Sequence, residues 1–141
     1  MDIAKVRSEF EYVRENRRQI ETLRGQAEAL RLSCIGRAIQ YDKDPVQTSP
    51  EDYQLKAISK AVDLDNEADK LIVAGDKVRA KLLVWMDVCT DEERIVLISH
   101  YLNDKSYREI EFEYDDALSD RTYVGAYRYA QNGIKKISAN F

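Results

Sequence analysis

Glycine and proline are scarce in this chain, which has 141 residues but only five Gly and two Pro. Because these residues mark most tight turns, their scarcity predicts few turns and long uninterrupted segments. Hydrophobic residues still make up 44% of the chain and charged residues 34%. That is enough apolar material for a core beneath a strongly charged surface. The composition therefore predicts an all-α protein of one domain, or of a small domain with an extension.

Long hydrophobic runs are also absent. No apolar run approaches the roughly 20 residues of a membrane span, and the first residues, MDIAKVRSEFEY, contain no apolar stretch like that of a signal peptide. We therefore expect a cytoplasmic protein with no membrane partner. The two cysteines, Cys34 and Cys89, both fall on apolar stripes of predicted helices. Without a secretion signal they are expected to be buried thiols rather than a disulfide.

Residue patterns that support catalysis or metal binding are missing as well. His100 is the single histidine, and a lone His in an apolar-faced helix is typical of a packing or surface residue. The sequence has no Cys pair at ligand spacing, no Asp-x-Asp loop, no Gly-rich phosphate loop and no nucleophile motif. We predict that the protein is not an enzyme and that it uses no cofactor and no metal.

The first segment that can be assigned is a long amphipathic helix from about Ile3 to Ile39. Its apolar residues recur at spacings of four and three, with a weak stretch at Arg17. The stripe consists of Val6, Phe10, Val13, Ile20, Leu23, Ala27, Leu30 and Cys34.

The clearest break in the chain follows, at YDKDPVQTSPEDY, residues 41–53. A second helix is predicted from Pro50 to about Val88, with Ser49 as its cap. Its apolar stripe has the regularity of a coiled-coil seam and is rich in small residues: Ala57, Ala61, Leu64, Ala68, Leu71, Gly75, Val78, Leu82, Trp85 and Cys89. The simplest partner is the first helix, which gives an antiparallel hairpin over residues 1–89 with a loop at 40–50. Self-association of two copies through the same seam is the competing arrangement.

Three shorter helices are predicted in the remaining segment, residues 90–141. Thr90 with Glu93 and Ser106 with Glu109 both have the spacing of a capping box, and Ser119 can cap the last helix. The expected apolar faces are Ile95, Ile98, Tyr101 and Leu102, then Tyr107, Ile110 and Tyr114, then Tyr123, Ala126, Ala130, Ile134 and Ile137. A helix, a tight break, a short helix, a turn and a longer helix follow the order of a helix-turn-helix domain.

The letters of this segment, ERIVLISHYLNDKSYREI followed by LSDRTYVGAYRYAQNGIKKI, resemble region 4 of sigma-70-type factors. The shared pattern is an apolar helix ending in Tyr-Leu, a Ser-x-x-Glu-Ile helix, and a Ser-capped helix with Ala130 and Ile134 at matching positions. The upstream part, around residues 41–67, is similar to small phage and prophage proteins that join a helical hairpin to such a domain. The late-transcription regulators of the ArpU and RinA type are relatives of that kind. The resemblance implies DNA binding and a second contact with RNA polymerase.

Charge is divided unevenly within this segment. Residues 90–119 hold nine acids against three bases, a net charge of −6, whereas residues 120–141 hold one acid against four bases, a net charge of +3. A helix that enters the major groove should be the basic element, so the last helix is the expected recognition helix. The acidic part could instead face a basic protein partner, such as a surface of RNA polymerase.

The residues expected to contact DNA lie on this last helix: Arg121, Thr122, Gly125, Arg128, Tyr129, Lys135 and Lys136. Arg121, Thr122, Gly125 and Arg128 fall off its apolar face, Gly125 would let the backbone approach DNA closely, and Tyr129 points away from the predicted core. Lys135 and Lys136 also complement the negative end of the helix dipole without any DNA. Tyr101, Tyr107, Tyr114 and Tyr123 are expected to fill a small core with their hydroxyls in water, and stacking on bases is the alternative.

The sequence thus predicts a phage-type, sigma-region-4-like transcription regulator of a bacterial host cell, whose hairpin mediates either self-association or contact with a partner. Two alternatives stay open. A DNA-packaging protein similar to a small terminase subunit would also combine a helix-turn-helix with a coiled coil. A protein-interaction module with a degenerate helix-turn-helix is favoured by the acidic second helix and by Glu111, which stands where the family pattern has a small residue.

Overall fold

The computed structural model describes residues 1–40, 50–113 and 123–141, and these residues form helices and no strands. The all-α prediction is therefore confirmed. Five α-helices follow one another along the chain: α1 (Ile3–Gln40), α2 (Pro50–Trp85), α3 (Asp91–Leu97), α4 (Tyr107–Glu113) and α5 (Tyr123–Asn140). Within the described ranges, none of the helices is long and apolar enough to cross a membrane.

The two long helices agree closely with their predicted bounds. α2 begins at Pro50, whose fixed φ and missing N–H suit a first helical position. Its α-helical geometry stops at Trp85, and Met86–Val88 continue as a single 3₁₀ turn. Cys89 is extended, with ψ 156°, so the chain leaves the helix there. The predicted cap at Ser49 lies outside the described residues.

The chain divides into two compact units, and one of them is the outer part of the hairpin, Gln19–Val73. Small side chains of both helices are buried along the predicted seam: Ala27, Ala57, Ala61 and Ala68. Two ion pairs also join the helices, from Arg24 to Asp69 at 3.3 Å and from Arg31 to Asp65 at 2.5 Å. The antiparallel hairpin is therefore confirmed. In this structure α1 occupies the seam, so the small residues of α2 pack within one chain.

The second unit combines both ends of the chain, Met1–Arg18 and Ala74–Phe141. This division differs from the domain boundary predicted after residue 89. The reason is that Val6, Phe10 and Val13 of α1 belong to the same buried core as α3, α4 and α5. The rings of Phe10 and Tyr101, for example, lie 5.2 Å apart.

Helix α3 continues without a break into one π-helical turn, Ile98–Leu102, in which the backbone N–H of Asn103 donates to the carbonyl of Ile98 at 3.0 Å. Such turns widen a helix and shift the side chains that follow. The predicted apolar face was only partly right, because Val96 and Leu97 are fully buried while Ile95, Ile98 and Leu102 are half-buried. Leu97 faces α5 and Tyr101 contacts α1, so this segment is covered by two partners.

Candidate nucleic-acid interface

Helix α5 has one apolar side and one polar side. Ala126, Ala130, Ile134 and Ile137 are fully buried, as their spacing predicts. On the other side, three exposed polar residues follow one another at spacings of four and three: Arg128, Asn132 and Lys135. We call these three residues the outer stripe of α5. They present a guanidinium, an amide and an ammonium group along one line of the helix.

Asn132 was missed in the sequence analysis, although helical periodicity alone predicts its position. It lies four residues after Arg128 and three before Lys135. The DNA-contacting residues were predicted mainly from their charge, so this neutral amide was left out. Arg121 lies seven residues before Arg128, which is two helical turns, but Arg121 and Thr122 lie outside the described residues.

Two of the residues expected to contact DNA are placed differently. Gly125 is buried next to Ala126, on the core side of α5. Its position on the core side of α5 differs from the exposed position that the sequence predicted. Tyr129 is half-buried and packs against the core instead of pointing away from it. The apolar side of α5 is wide enough to include both positions because α3, α4 and the 3₁₀ turn all pack on this helix.

Lys136 and Lys135 differ sharply although they are neighbours in sequence. Lys136 forms an ion pair with Glu93, whose side chain is only 4% exposed. Glu93 is also the third residue of the capping box of α3, because its N–H donates to the Thr90 hydroxyl at 3.3 Å. Lys136 thus compensates a buried carboxylate, whereas Lys135 is exposed on the outer stripe of α5.

Helix α4 carries acidic and aromatic side chains on its surface. The Ser106 hydroxyl accepts a hydrogen bond from the N–H of Glu109 at 3.2 Å, which caps the helix as predicted. Ile110 is its fully buried anchor, and Glu113 pairs with Lys105 at 2.5 Å. Phe112 is 88% exposed, which is unusual for a large apolar side chain beside carboxylates.

The turn between the first two helices of this domain is bound by α1. Asp104 has a positive φ of 53°, a conformation that Asp tolerates better than most residues. Its carboxylate accepts hydrogen bonds from Arg14 at 2.9 Å and from Arg18 at 3.0 Å. Arg17 donates to the carbonyl of Leu102 at 3.0 Å. In the sequence Arg17 only interrupts an apolar stripe, but together with Arg14 and Arg18 it holds the turn in place.

His100 is a buried neutral residue beside the same turn. Its Nδ1 lies 2.8 Å from the carbonyl of Lys105, and since a carbonyl only accepts, Nδ1 carries the proton. The ring stacks on Tyr107 with centroids 4.0 Å apart. Burial lowers the pKa of His100 below its ordinary value. The histidine therefore acts as a structural link between α3 and α4.

Cys89 is a buried thiol of this unit. Burial, followed by the charge of Glu93, raises the pKa of Cys89 to about 11, so its thiol stays protonated near neutral pH. The thiol donates to the carbonyl of Gly133 at 3.6 Å. In the part of the chain that the structure describes, no three His, Cys, Asp or Glu side chains come together as metal ligands do.

No protein-family model matches this sequence, and neither a curated protein nor a solved structure is significantly similar to it. The outer stripe of α5 and the elements that hold it are therefore the features that bear on function.

Proposed function

We propose that the protein is a DNA-binding transcription regulator of the sigma-region-4-like, phage-encoded kind, with α5 as its major-groove helix. The outer stripe of α5 is the observation that carries this proposal. It is polar, it is exposed, and the sequence of α5 contains no acid from Tyr123 to Asn140. The opposite side of the helix is anchored in the core, which would hold the stripe at a fixed orientation.

Each residue of the stripe suits a different contact. An arginine such as Arg128 pairs in a bidentate manner with guanine O6 and N7, and an amide such as Asn132 pairs with adenine N6 and N7. An ammonium such as Lys135 suits a phosphate. This division of roles supports sequence-selective binding by two residues and general affinity from the third. Arg121 and Thr122 remain proposed contacts on the strength of their sequence positions.

The net charge of −4 argues against strong binding through the whole surface. The proposed interface is therefore limited to one side of α5, and Lys136 supports it from a neighbouring position. By neutralising Glu93, this lysine prevents a carboxylate from repelling phosphates near the C-terminal end of α5. We also propose that the protein acts in the cytoplasm of a bacterial host and that copies of it associate through the hairpin.

The decisive experiment selects duplexes from a random-sequence pool with the full-length chain and then titrates the selected DNA across a range of salt concentrations. Arg128→Ala and Asn132→Ala should each relax the preference at one base position, by about 1–3 kcal/mol. Lys135→Gln should weaken binding to all sequences alike and reduce the salt slope by about one.

Lys77→Gln is the matched control, because Lys77 is an exposed lysine of α2 outside the proposed interface. This variant should bind as the wild type does. If the wild-type chain selects no sequence and binds no duplex near physiological salt, the DNA-binding proposal is wrong.

Phe112 and its acidic surroundings favour a second candidate function, that of a protein-interaction module. An exposed aromatic ring among Glu109 and Glu113 would suit an apolar pocket on a basic surface, such as one on RNA polymerase. Retention of purified bacterial polymerase by the wild-type chain but not by a Phe112→Ser variant, without any DNA, would support it. A chain that shows this retention and no DNA binding would have the second function alone.

A further inference from the structure

The hairpin unit carries a group of large apolar side chains that its own fold leaves uncovered. Five residues near its outer end are between 46% and 66% exposed. They are Leu32, Ile35, Leu55, Ile58 and Val62. We call this group the tip patch. Large contiguous apolar patches on a folded protein usually mark an interaction surface.

Three residues of the tip patch, Ile35, Ile58 and Val62, continue the line of a charged groove on one side of the hairpin. The groove is lined by Arg24, Glu28, Arg31, Asp65 and Asp69. Helical periodicity places these residues in line with the groove. On α1, Ile35 follows Arg31 by four residues, which is about one helical turn. Val62 and Ile58 precede Asp65 by three and seven residues, so they extend the same stripe of α2 towards the outer end of the hairpin.

The other side of the same hairpin differs. There the apolar residues Leu30 and Leu64 are half-buried between the helices and are flanked by Gln26 and Lys60. By helical periodicity, Ile35, Ile58 and Val62 thus lie on the side of the charged groove, opposite Gln26 and Lys60. A partner that covers this side must offer apolar side chains at one end and charged side chains at the other.

The charges of the groove are arranged by helix. Helix α1 contributes Arg24, Arg31 and Glu28, a net charge of +1, whereas α2 contributes Asp65 and Asp69, a net charge of −2. In a bundle of two hairpins whose two-fold axis runs along the helices, α1 of one copy lies beside α2 of the other. The arginines of each copy then face the aspartates of its partner, while the two tip patches face each other.

The existing ion pairs do not prevent this arrangement. Arg24 and Asp69 are each more than half exposed, and one carboxylate can accept bonds from two guanidinium groups. If the second copy were inverted end to end, each tip patch would instead cover charged groups and leave them without water. A second copy in parallel orientation therefore fits the charges and the apolar surface at once.

We propose that two copies of this chain associate through the tip patch and the charged groove. The two hairpins lie side by side with their outer ends together and form a four-helix bundle. This deepens the self-association that forms part of the proposed function. The surface is different from the buried seam, which stays within each hairpin. If DNA binding also holds, one particle carries two outer stripes of α5 and would prefer a target with two-fold symmetry.

The first test is the mass of the full-length chain in solution without DNA, measured across concentration. We expect twice the 16.4 kDa chain mass, and a Leu55→Glu/Ile58→Glu variant should have the mass of one chain. Both side chains are exposed, so the helices should still form. Leu83→Glu is the control, because Leu83 is a 49% exposed residue of α2 outside the tip patch.

A wild-type chain that stays monomeric at high micromolar concentration would overturn the proposal, as would a ring of eight or more copies. So would a Leu55→Glu/Ile58→Glu variant that remains dimeric. None of these results depends on DNA, so the self-association can fail while DNA binding holds, and the reverse.

The second test is a charge exchange that separates pairing between copies from pairing within one copy. One variant carries Arg24→Asp/Arg31→Asp and the other carries Asp65→Arg/Asp69→Arg. Each alone places like charges both within and between copies, and should dimerise at least about ten-fold more weakly at low salt. In an equimolar mixture, opposite charges meet again between copies only.

Recovery of dimerisation in the mixture is therefore the expected result and requires that the charged groove of one copy face that of the other. If the mixture associates no better than either variant, the charged groove does not contact a second copy and the proposal is wrong. Helix content measured by circular dichroism should remain that of the wild type for both variants.

Discussion

The guanidinium group of Arg18 donates a hydrogen bond of 3.0 Å to the carboxylate of Asp104, although 86 positions separate the two residues in sequence. Arg14 donates to the second oxygen of the same carboxylate at 2.9 Å. The first helix thus holds the turn between α3 and α4, where Asp104 adopts its positive φ. This contact explains why the N-terminal residues and the C-terminal helices form one unit.

The Asp104 carboxylate should make the protein less stable in acid. The hydrogen bond from Arg18 lowers the pKa of Asp104 below its ordinary value, so the ionised carboxylate stabilises the fold above about pH 4. That contribution is lost as the pH falls through the lowered pKa. In an Asp104→Asn variant the new asparagine still tolerates the positive φ. This variant should be less stable than the wild type by about 1 kcal/mol near neutral pH, because it lacks the charge.

The measurement is the free energy of unfolding in urea, near pH 7 and near pH 2, for the wild type and Asp104→Asn. The difference between the two proteins should shrink towards zero at the acidic end. A difference that is unchanged at low pH would mean that the turn depends on the shape of the side chain and not on its charge.

His100 should make the stability depend on pH in a second range. Burial lowers the pKa of His100, so the folded protein keeps the ring neutral while the unfolded chain takes up a proton below about pH 6.5. The unfolded state therefore gains protons first, and stability should fall as the pH decreases from about 6.5 towards the lowered pKa. Because His100 is the only histidine, its proton NMR signals report this pKa directly.

A His100→Asn variant should remove this slope, since the amide keeps a donor for the Lys105 carbonyl but does not titrate. It should also be less stable at every pH, because the stacking of His100 on Tyr107 is lost. An unshifted NMR titration near pH 6.5 would mean that the ring is accessible to water in the folded protein.

Local signals in the sequence predicted local structure well. The capping boxes at Thr90 and Ser106 depend on residues three positions apart, and both caps are present. The buried face of α5 from Ala126 to Ile137 follows from a period of 3.6 residues. These features need no knowledge of what else packs nearby.

Long-range contacts were the part that the sequence could not provide. The ion pair of Glu93 with Lys136 and the bonds of Asp104 to α1 join residues that no short motif connects. The positive net charge of residues 120–141 led to the prediction that Lys136 contacts DNA. In the structure Lys136 is paired with the buried carboxylate of Glu93. Gly125 was misplaced for a related reason, because how wide the buried side of a helix is depends on how many helices pack against it.

The two neighbouring lysines of α5 offer a matched pair of substitutions. Lys136→Met removes the cation from Glu93, whose Oε2 atom is buried and makes no hydrogen bond. The variant should lose about 2 kcal/mol of stability, because a buried carboxylate is left without compensation. Lys135→Met should change stability by less than about 0.5 kcal/mol, since Lys135 is exposed.

Adding Glu93→Gln to Lys136→Met should restore part of the lost stability, because the amide carries no charge to compensate. Thermal unfolding of the four proteins provides the measurement. Equal losses for Lys135→Met and Lys136→Met would argue that the ion pair contributes nothing to the fold.

Gly75 lies where α2 comes closest to Asn16 of α1, within the same unit. A Cβ atom at Gly75 would stand 2.3 Å from Oδ1 of Asn16 and 2.9 Å from its Cγ, and Asn16 is itself buried. Alanine favours a helix over glycine by about 1 kcal/mol, but the forced shift should cost about 1–3 kcal/mol. Gly75→Ala should therefore destabilise the protein or, at best, leave its stability unchanged.

Gly25→Ala is the control, because a Cβ atom at Gly25 would meet nothing within 4 Å. There the helix propensity acts alone and should add about 1 kcal/mol of stability. If crowding by Asn16 is the cause, Asn16→Ala should remove the penalty, so that Gly75→Ala becomes favourable in the Asn16→Ala background. Urea unfolding of the single and double variants measures this coupling directly. Additive effects would mean that Asn16 moves aside at no cost, and that the close approach of the two helices does not require a glycine.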